Sequence, residues 1–277
     1  SFKTDILQKQ VLDLIFRMGS FAPVSDLMDA LAKLLVEPIA PHLESYRNLI
    51  IVPDGPLAMV PFAALPFDNK ELIDYFNISY ETSGSSLHER MRDQTPQPPR
   101  SILALAPAKD LPYSKLEVLS IEGAKVYLGK EATTKHIFSK TVDALAIAAH
   151  GRLSMETPLS NGFLLYEESP KASKKNEIGS PTLVTVKSVF ESNGAPSLVT
   201  LSACHAWDQH ASATQNLSIP WLSVANAFMV AGSQSVLASQ GRVSDLAAAV
   251  LMKRFYRNLK TQPRATALRN ASLVVRE

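Results

Sequence analysis

Cysteine is almost missing from this sequence. Among 277 residues there is one, Cys204. A single cysteine closes no internal disulfide, which suits a reducing compartment and leads to the expectation of a cytoplasmic protein. Long apolar runs are missing too. None approaches the roughly 20 residues that span a bilayer, and the opening SFKTDILQKQ has no apolar centre of the kind a signal peptide carries. The formal net charge is only +2. With no clustered basic face, neither nucleic acid nor an anionic membrane is an expected partner. There is no C-x-x-C, no H-E-x-x-H and no internal repeat.

Hydrophobic residues make up 46% of the chain and charged residues 19%, enough apolar surface for a sizeable core. Residues 6–45 read as helical. Ser25 is a candidate N-cap, and Leu27, Ala30, Leu31, Leu34 and Leu35 follow with the spacing of one helix face; Pro38 and Pro41 are expected to end that helix. Five short apolar runs come next: NLIIVPDG (48–55), SILALAP (101–107), ALAIAAHG (144–151), SLVTLSAC (197–204) and SQSVLASQ (233–240). None alternates cleanly, which suits strands covered on both faces, as in a parallel sheet.

Helical patterns separate most of these runs: KLEVLSIEGAKVYL (115–128), TKHIFSK (134–140), VKSVFES (186–192) and WLSVANAFMVAG (221–232), with SDLAAAVLMKRFYRNL (244–259) after the last. The alternation predicts an α/β fold, a three-layer α/β/α sandwich with a mostly parallel central sheet. DQTPQPPR (93–100) reads as a linker between an N-terminal helical or mixed subdomain (1–92) and the sandwich (101–277). EESPKASKKNEIGSP (167–181) reads as an exposed loop. The chain opens at Ser1 and stops inside the helical stretch RATALRNASLVVRE, so it is expected to be part of a longer protein.

Ligands of open parallel sheets bind beyond the carboxyl ends of the strands. His150 stands at the end of the third apolar run and Cys204 at the end of the fourth. If those strands are neighbours, the two side chains meet as nucleophile and base. His205 is adjacent to Cys204 in sequence and so points the other way along an extended chain; His210 falls in a loop. Cys204 alone reads equally as a small buried hydrophobe. Together with His150, His205 and His210 it also supplies metal-ligating atoms, although no zinc-type spacing is present and neither a metal nor a cofactor is expected.

The blocks IVPDGPLAMVPFAALP (51–66), IAAHGRLSMETPLSNGFLL (147–165), LVTLSAC (198–204) and ANAFMVAGSQSVLAS (225–239) together resemble the CHAT domain, a family of caspase-like cysteine peptidases in the clan of separase, metacaspases and caspases, often joined to TPR repeats. The likeness runs from about Leu35 to about Leu259. It implies a caspase-like core with a His–Cys dyad. His150 matches the histidine of the His-Gly motif, and Cys204 the nucleophile of the Ser-Ala-Cys motif. Pro158, Leu159, Ser160 and Gly162 match the loop after the histidine. The chain departs from the family after the cysteine, where it reads His205, Ala206 and Trp207, and after the fifth strand, where Gln240 to Asp245 replace a Trp-Pro motif.

What the resemblance implies is peptide-bond hydrolysis through an acyl-enzyme on Cys204, with His150 as acid and base. The backbone amides of Gly151 and Cys204 are candidate oxyanion donors. Asp245 is a candidate for binding a basic residue before the cut bond, with Ser160 and Gly162 also lining the substrate site; Ser244 and Asp245 equally read as the cap and first turn of a helix. The expected partners are a protein substrate and attached TPR repeats, and the chain is compatible with a monomer. Two other readings stand beside this one. The fold serves as a catalytically silent docking scaffold, or it belongs to a glutaminase-type amidase, for which Ser202-Ala203-Cys204-His205-Ala206 lacks the flanking glycines.

Overall fold

A computed structural model describes residues 2–20, 22–91, 97–138, 141–152, 157–167, 180–192, 194–203, 220–239 and 243–276. The N-terminal part opens with two helices, α1 (Phe2–Gly19) and α2 (Ser25–Leu35), followed by a 3₁₀ turn, Glu37–His42. Then come β1 (Asn48–Ile51), β2 (Pro66–Phe67), β3 (Lys70–Glu71), α3 (Leu72–Tyr75), β4 (Asn77–Tyr80) and α4 (Gly84–Met91). Val11, Leu14, Leu31, Val60, Leu65, Leu72 and Phe76 form its core.

Two readings of this region are corrected and one holds. Val24, not Ser25, precedes the first helical turn, and no side chain caps α2. As expected, that helix stops ahead of the prolines, at Leu35, and Pro38 and Pro41 lie in the 3₁₀ turn, where their fixed φ is tolerated. The run at 48–55 does form a strand, but β1 pairs in parallel with β4 in a separate two-stranded sheet. Among the described residues no second strand pairs with β1, and Ile50 is exposed, so it lacks the double cover of a central strand.

The rest of the chain builds the sandwich. In order it holds β5 (Ile102–Ala106), α5 (Pro112–Leu119), β6 (Ala124–Leu128), β7 (Ala144–Ala148), β8 (Gly151–Arg152), β9 (Gly162–Tyr166), β10 (Pro181–Thr185), α6 (Val186–Phe190), β11 (Leu198–Ser202), α7 (Pro220–Val230), β12 (Ser235–Ala238), α8 (Asp245–Asn258) and α9 (Arg264–Arg276). The main sheet is parallel, in the order β6-β5-β7-β11-β12. The order reverses direction around β5 and β7, as in doubly wound sheets. Beside it lies a small antiparallel sheet, β10-β9-β8.

Period-two geometry explains why the strands read as unbroken apolar runs. Odd-numbered side chains of the central strands, Leu103, Leu105, Leu145, Ile147, Val199 and Leu201, pack with Phe163, Val189 and Phe228. Even-numbered ones, Ala104, Ala106, Ala144, Ala146, Ala148 and Leu198, pack with Val118, Met252, Phe255 and Ala267 of α5, α8 and α9. Both faces are buried, so both must be apolar. The alanine-rich face brings α5 and α8 close to the strands, which decides where their ends lie.

Two helix expectations in this half are also corrected. The stretch 115–128 is not one helix: α5 stops at Leu119, and 124–128 is the edge strand β6. Gly123, at φ +80, turns the chain in a conformation a side chain resists, and Val126 and Tyr127 suit a pleated strand. Among the described residues of TKHIFSK the helical part is a short 3₁₀ turn, Thr134–His136. Within the linker reading, 93–96 lie outside the described residues, as do 168–179 of the loop reading. At the ends of that loop the Glu167 N–H donates to the Ser180 carbonyl at 2.9 Å. Among the described residues no helix is long and apolar enough to cross a membrane.

Candidate active site

The carboxyl ends of β7 and β11 lie side by side. Their parallel ladder runs from Ala144↔Leu198 to Ala148↔Ser202. Beyond it the Ala149 N–H donates to the Ser202 carbonyl at 3.2 Å, and the His150 carbonyl accepts from Leu164 of β9 at 2.9 Å. The backbone at His150 is thus tied to a strand on each side. Alternation sends Ala149 into the buried odd-side core and leaves the His150 ring on the side of α5 and α8.

There the His150 imidazole meets a carboxylate that sequence reading did not single out. His150 Nε2 lies 2.9 Å from Asp110 Oδ1. Asp110 sits in the turn between β5 and α5, at the same rim of the sheet. The hydrogen bond to His150 is the main reason its carboxyl is held below the ordinary carboxylate value. The turn itself is fixed from α8. Helix α5 begins Pro112–Tyr113 with no side-chain cap of its own, and Asp245 Oδ2 accepts the Tyr113 N–H at 2.8 Å.

A second unforeseen carboxyl lies underneath. Glu117, on the inward side of α5, is 2% exposed. Burial pushes its pKa up to about 8, and the nearby Asp245 adds to the rise. The Ser202 hydroxyl, close by at the end of β11, works the other way, although it makes no regular hydrogen bond with any described residue. Deeper along the same face, Thr200 Oγ1 and the Tyr256 hydroxyl are 3.0 Å apart.

The remaining expected residues divide as follows. Gly151 is buried in β8, where it faces Phe163 of β9. Ser160 is exposed at the end of the 3₁₀ turn Pro158–Ser160. Gly162 is buried in β9, and a Cβ there would stand 1.9 Å from the Val184 carbonyl oxygen, so the close approach of β10 requires glycine. Asp245 is half-buried in the first turn of α8, after Ser244, whose hydroxyl accepts the Ala247 N–H at 3.5 Å. Cys204, His205, His210, Trp207 and 240–242 lie outside the described residues; Ala203, the residue before the cysteine, is fully buried. Among the described residues no three His, Cys, Asp or Glu side chains gather as metal ligands would.

A signal for Asp110 was available. It stands four residues past β5, at the rim where His150 ends β7, and the rule that sites form beyond strand carboxyl ends applies to it equally. Glu117 gave none. In α5 the larger apolar residues Leu116 and Leu119 are exposed while Glu117 is buried, the reverse of an amphipathic pattern.

A five-stranded parallel sheet with helices on both faces and a histidine at the end of a central strand defines a caspase-like α/β sandwich. The CHAT domain profile matches residues 25–277, and the chain belongs to the CHAT-domain family, which is related to the caspase-like proteases. No curated protein sequence matches it.

Proposed function

We propose that this chain is a cysteine endopeptidase unit acting through Cys204 and His150. The observation that carries the reading is the ladder between β7 and β11. Every β11 partner carries a number 54 higher than its β7 partner, from Ala144↔Leu198 to Ala148↔Ser202, and Cys204 stands 54 residues after His150. Were β11 to keep that register for two more residues, the two side chains would project on the same side of the sheet. An imidazole and a thiol at one rim form the minimal arrangement for thiol acyl transfer.

In this mechanism the thiolate of Cys204 attacks the scissile carbonyl carbon, and the electron pair moves onto oxygen. Backbone N–H groups of Gly151 and Cys204 hold the oxyanion; losing one such donor typically raises a barrier by about 2.7–4 kcal/mol. The tetrahedral species collapses to a thioester as the C–N bond breaks, and imidazolium His150 protonates the departing amine. Neutral His150 then takes a proton from water, the hydroxide cleaves the thioester, and the proton returns to sulfur.

The favoured substrate is a protein with a basic residue before the cut bond. Support comes from the Asp245 carboxyl, which is half-buried in the first turn of α8 at this rim. A cationic side chain beside it would pair with that carboxylate. TPR repeats elsewhere in the protein would regulate the unit.

The test is a panel of fluorogenic peptides with Arg, Lys, Asp or Leu before the cut bond. Cleavage that disappears in Cys204→Ala, with the circular dichroism spectrum unchanged, is expected. Cleavage that survives the substitution ends the proposal, and preference for Asp or Leu removes the basic-residue part of it.

A further inference from the structure

We propose that Asp110 is a positioning residue for His150, holding the imidazole with Nε2–H turned to its carboxylate so that Nδ1 is left as the basic nitrogen. The inference rests on the reading of His150 as the acid–base group of the reaction.

The first argument is the contact itself. A separation of 2.9 Å between His150 Nε2 and Asp110 Oδ1 is a full hydrogen bond. An ionised carboxylate can only accept. The proton in that bond therefore belongs to Nε2, and a neutral ring must keep its lone pair on Nδ1. A histidine on a flexible rim, with no such partner, samples both tautomers and several ring orientations, and only some of these can take a proton from a thiol or deliver one to an amine.

The second argument is that both partners are held from outside the pair. The His150 backbone is tied to β9 through Leu164, and the residue before it to β11 through Ser202. The Asp110 turn is tied to α8 by the bond from the Tyr113 N–H to Asp245. Three elements distant in sequence thus converge to bring one carboxylate to one imidazole. Stability does not account for the pairing: Asp110 is 76% exposed on its side chain, and ion pairs of this kind contribute little to folding. Lys109 is its sequence neighbour; α5 carries Tyr113, Lys115 and Glu117, β8 carries Arg152, and α8 carries Asp245 in its first turn with Lys253, Arg254, Tyr256 and Arg257 farther along. Among the described ion pairs, the carboxylate that meets His150 is that of Asp110.

The experiment compares wild type, Asp110→Ala, Asp110→Asn and Asp110→Glu on the best peptide of the panel, with the imidazole tautomer of His150 followed by ¹⁵N NMR. In Asp110→Ala, kcat is expected to fall at least about tenfold, while KM on the same peptide changes less than about threefold. Asp110→Glu is expected to recover part of the loss, and the Nδ1–H tautomer to gain population in Asp110→Ala. A kcat within about twofold of wild type overturns the inference, as does a variant faster than wild type, which would make the pair a restraint on His150. If wild type cleaves none of the peptides, the peptidase reading fails on its own. The tautomer then decides the Asp110 inference: a shift toward Nδ1–H in Asp110→Ala supports it, and an unchanged ratio overturns it.

Discussion

The Asp245 carboxylate accepts the Tyr113 amide N–H at 2.8 Å and so joins the start of α8 to the start of α5 across 132 residues of sequence. A helix start leaves backbone N–H groups without partners, and α5 supplies no cap of its own. Asp245→Ala is therefore expected to lower stability by about 1 kcal/mol, the usual cost of a lost cap, measured by urea unfolding. Asp245→Asn separates two uses of this side chain. A fall in the ratio of Arg to Leu cleavage assigns it to substrate binding as well. An unchanged ratio with lost stability leaves it as the cap of α5.

Glu117 gives the molecule a pH dependence of defined sign. Its folded-state pKa of about 8 lies above the ordinary value of 4.5, so the folded chain holds this proton more tightly than the unfolded one. The associated stability is fully present below about pH 4.5 and is lost as the pH rises to about 8. Glu117→Gln keeps the shape and removes the titration. The variant is expected to gain on the order of a few kcal/mol over wild type near pH 8 and little near pH 4.5. Chemical denaturation at a series of pH values checks this; parallel curves for the two proteins would count against a buried, protonated Glu117.

Gly162 tests packing next to the site. A methyl group there would overlap the Val184 carbonyl oxygen, and both atoms belong to paired strand backbone that cannot step aside. Gly162→Ala is expected to cost about 3 kcal/mol or more, at the high end for one substitution. A thermal melt reads it, and a variant with wild-type Tm would show that β9 and β10 sit farther apart.

Arg269 fastens the N-terminal part to α9. Its guanidinium donates to the Ile73 carbonyl at 2.7 Å and also to the Asp74 carbonyl. On the same helix Arg276 pairs with Glu71 and Asp74, and it is the largest cause holding the Asp74 carboxyl at about 2. Arg269→Ala removes the donor from two part-buried carbonyls, at a cost of about 1–3 kcal/mol. Faster proteolysis within 1–91 is the expected signature. Because the Asp74 pKa is depressed, its share of the docking is present above about pH 4 and is lost only as the pH falls through about 2.

Much of the sandwich is legible in the residues. Four of the five apolar runs became strands of the main sheet, because a strand buried on both faces needs apolar side chains at every position. The family is legible for a related reason, since blocks such as IAAHG and LVTLSA reach the strand ends, where chemistry has room. Local pattern failed where two signals overlapped. In KLEVLSIEGAKVYL the spacing of apolar residues allows one long helix, and only the turn at Gly123 and the open edge beside β5 make its second half a strand.

The sequence by itself determined the layered class, the strand rims and the histidine at one of them, since burial on two faces and turn residues at the ends are local properties. Tertiary structure alone decided that Asp110 meets His150, that Asp245 caps a helix far from it in sequence, and that Glu117 is buried, which raises its pKa. Each of these depends on groups from separate elements arriving within hydrogen-bond or Coulomb range, and no short stretch of residues encodes a distance between two such elements.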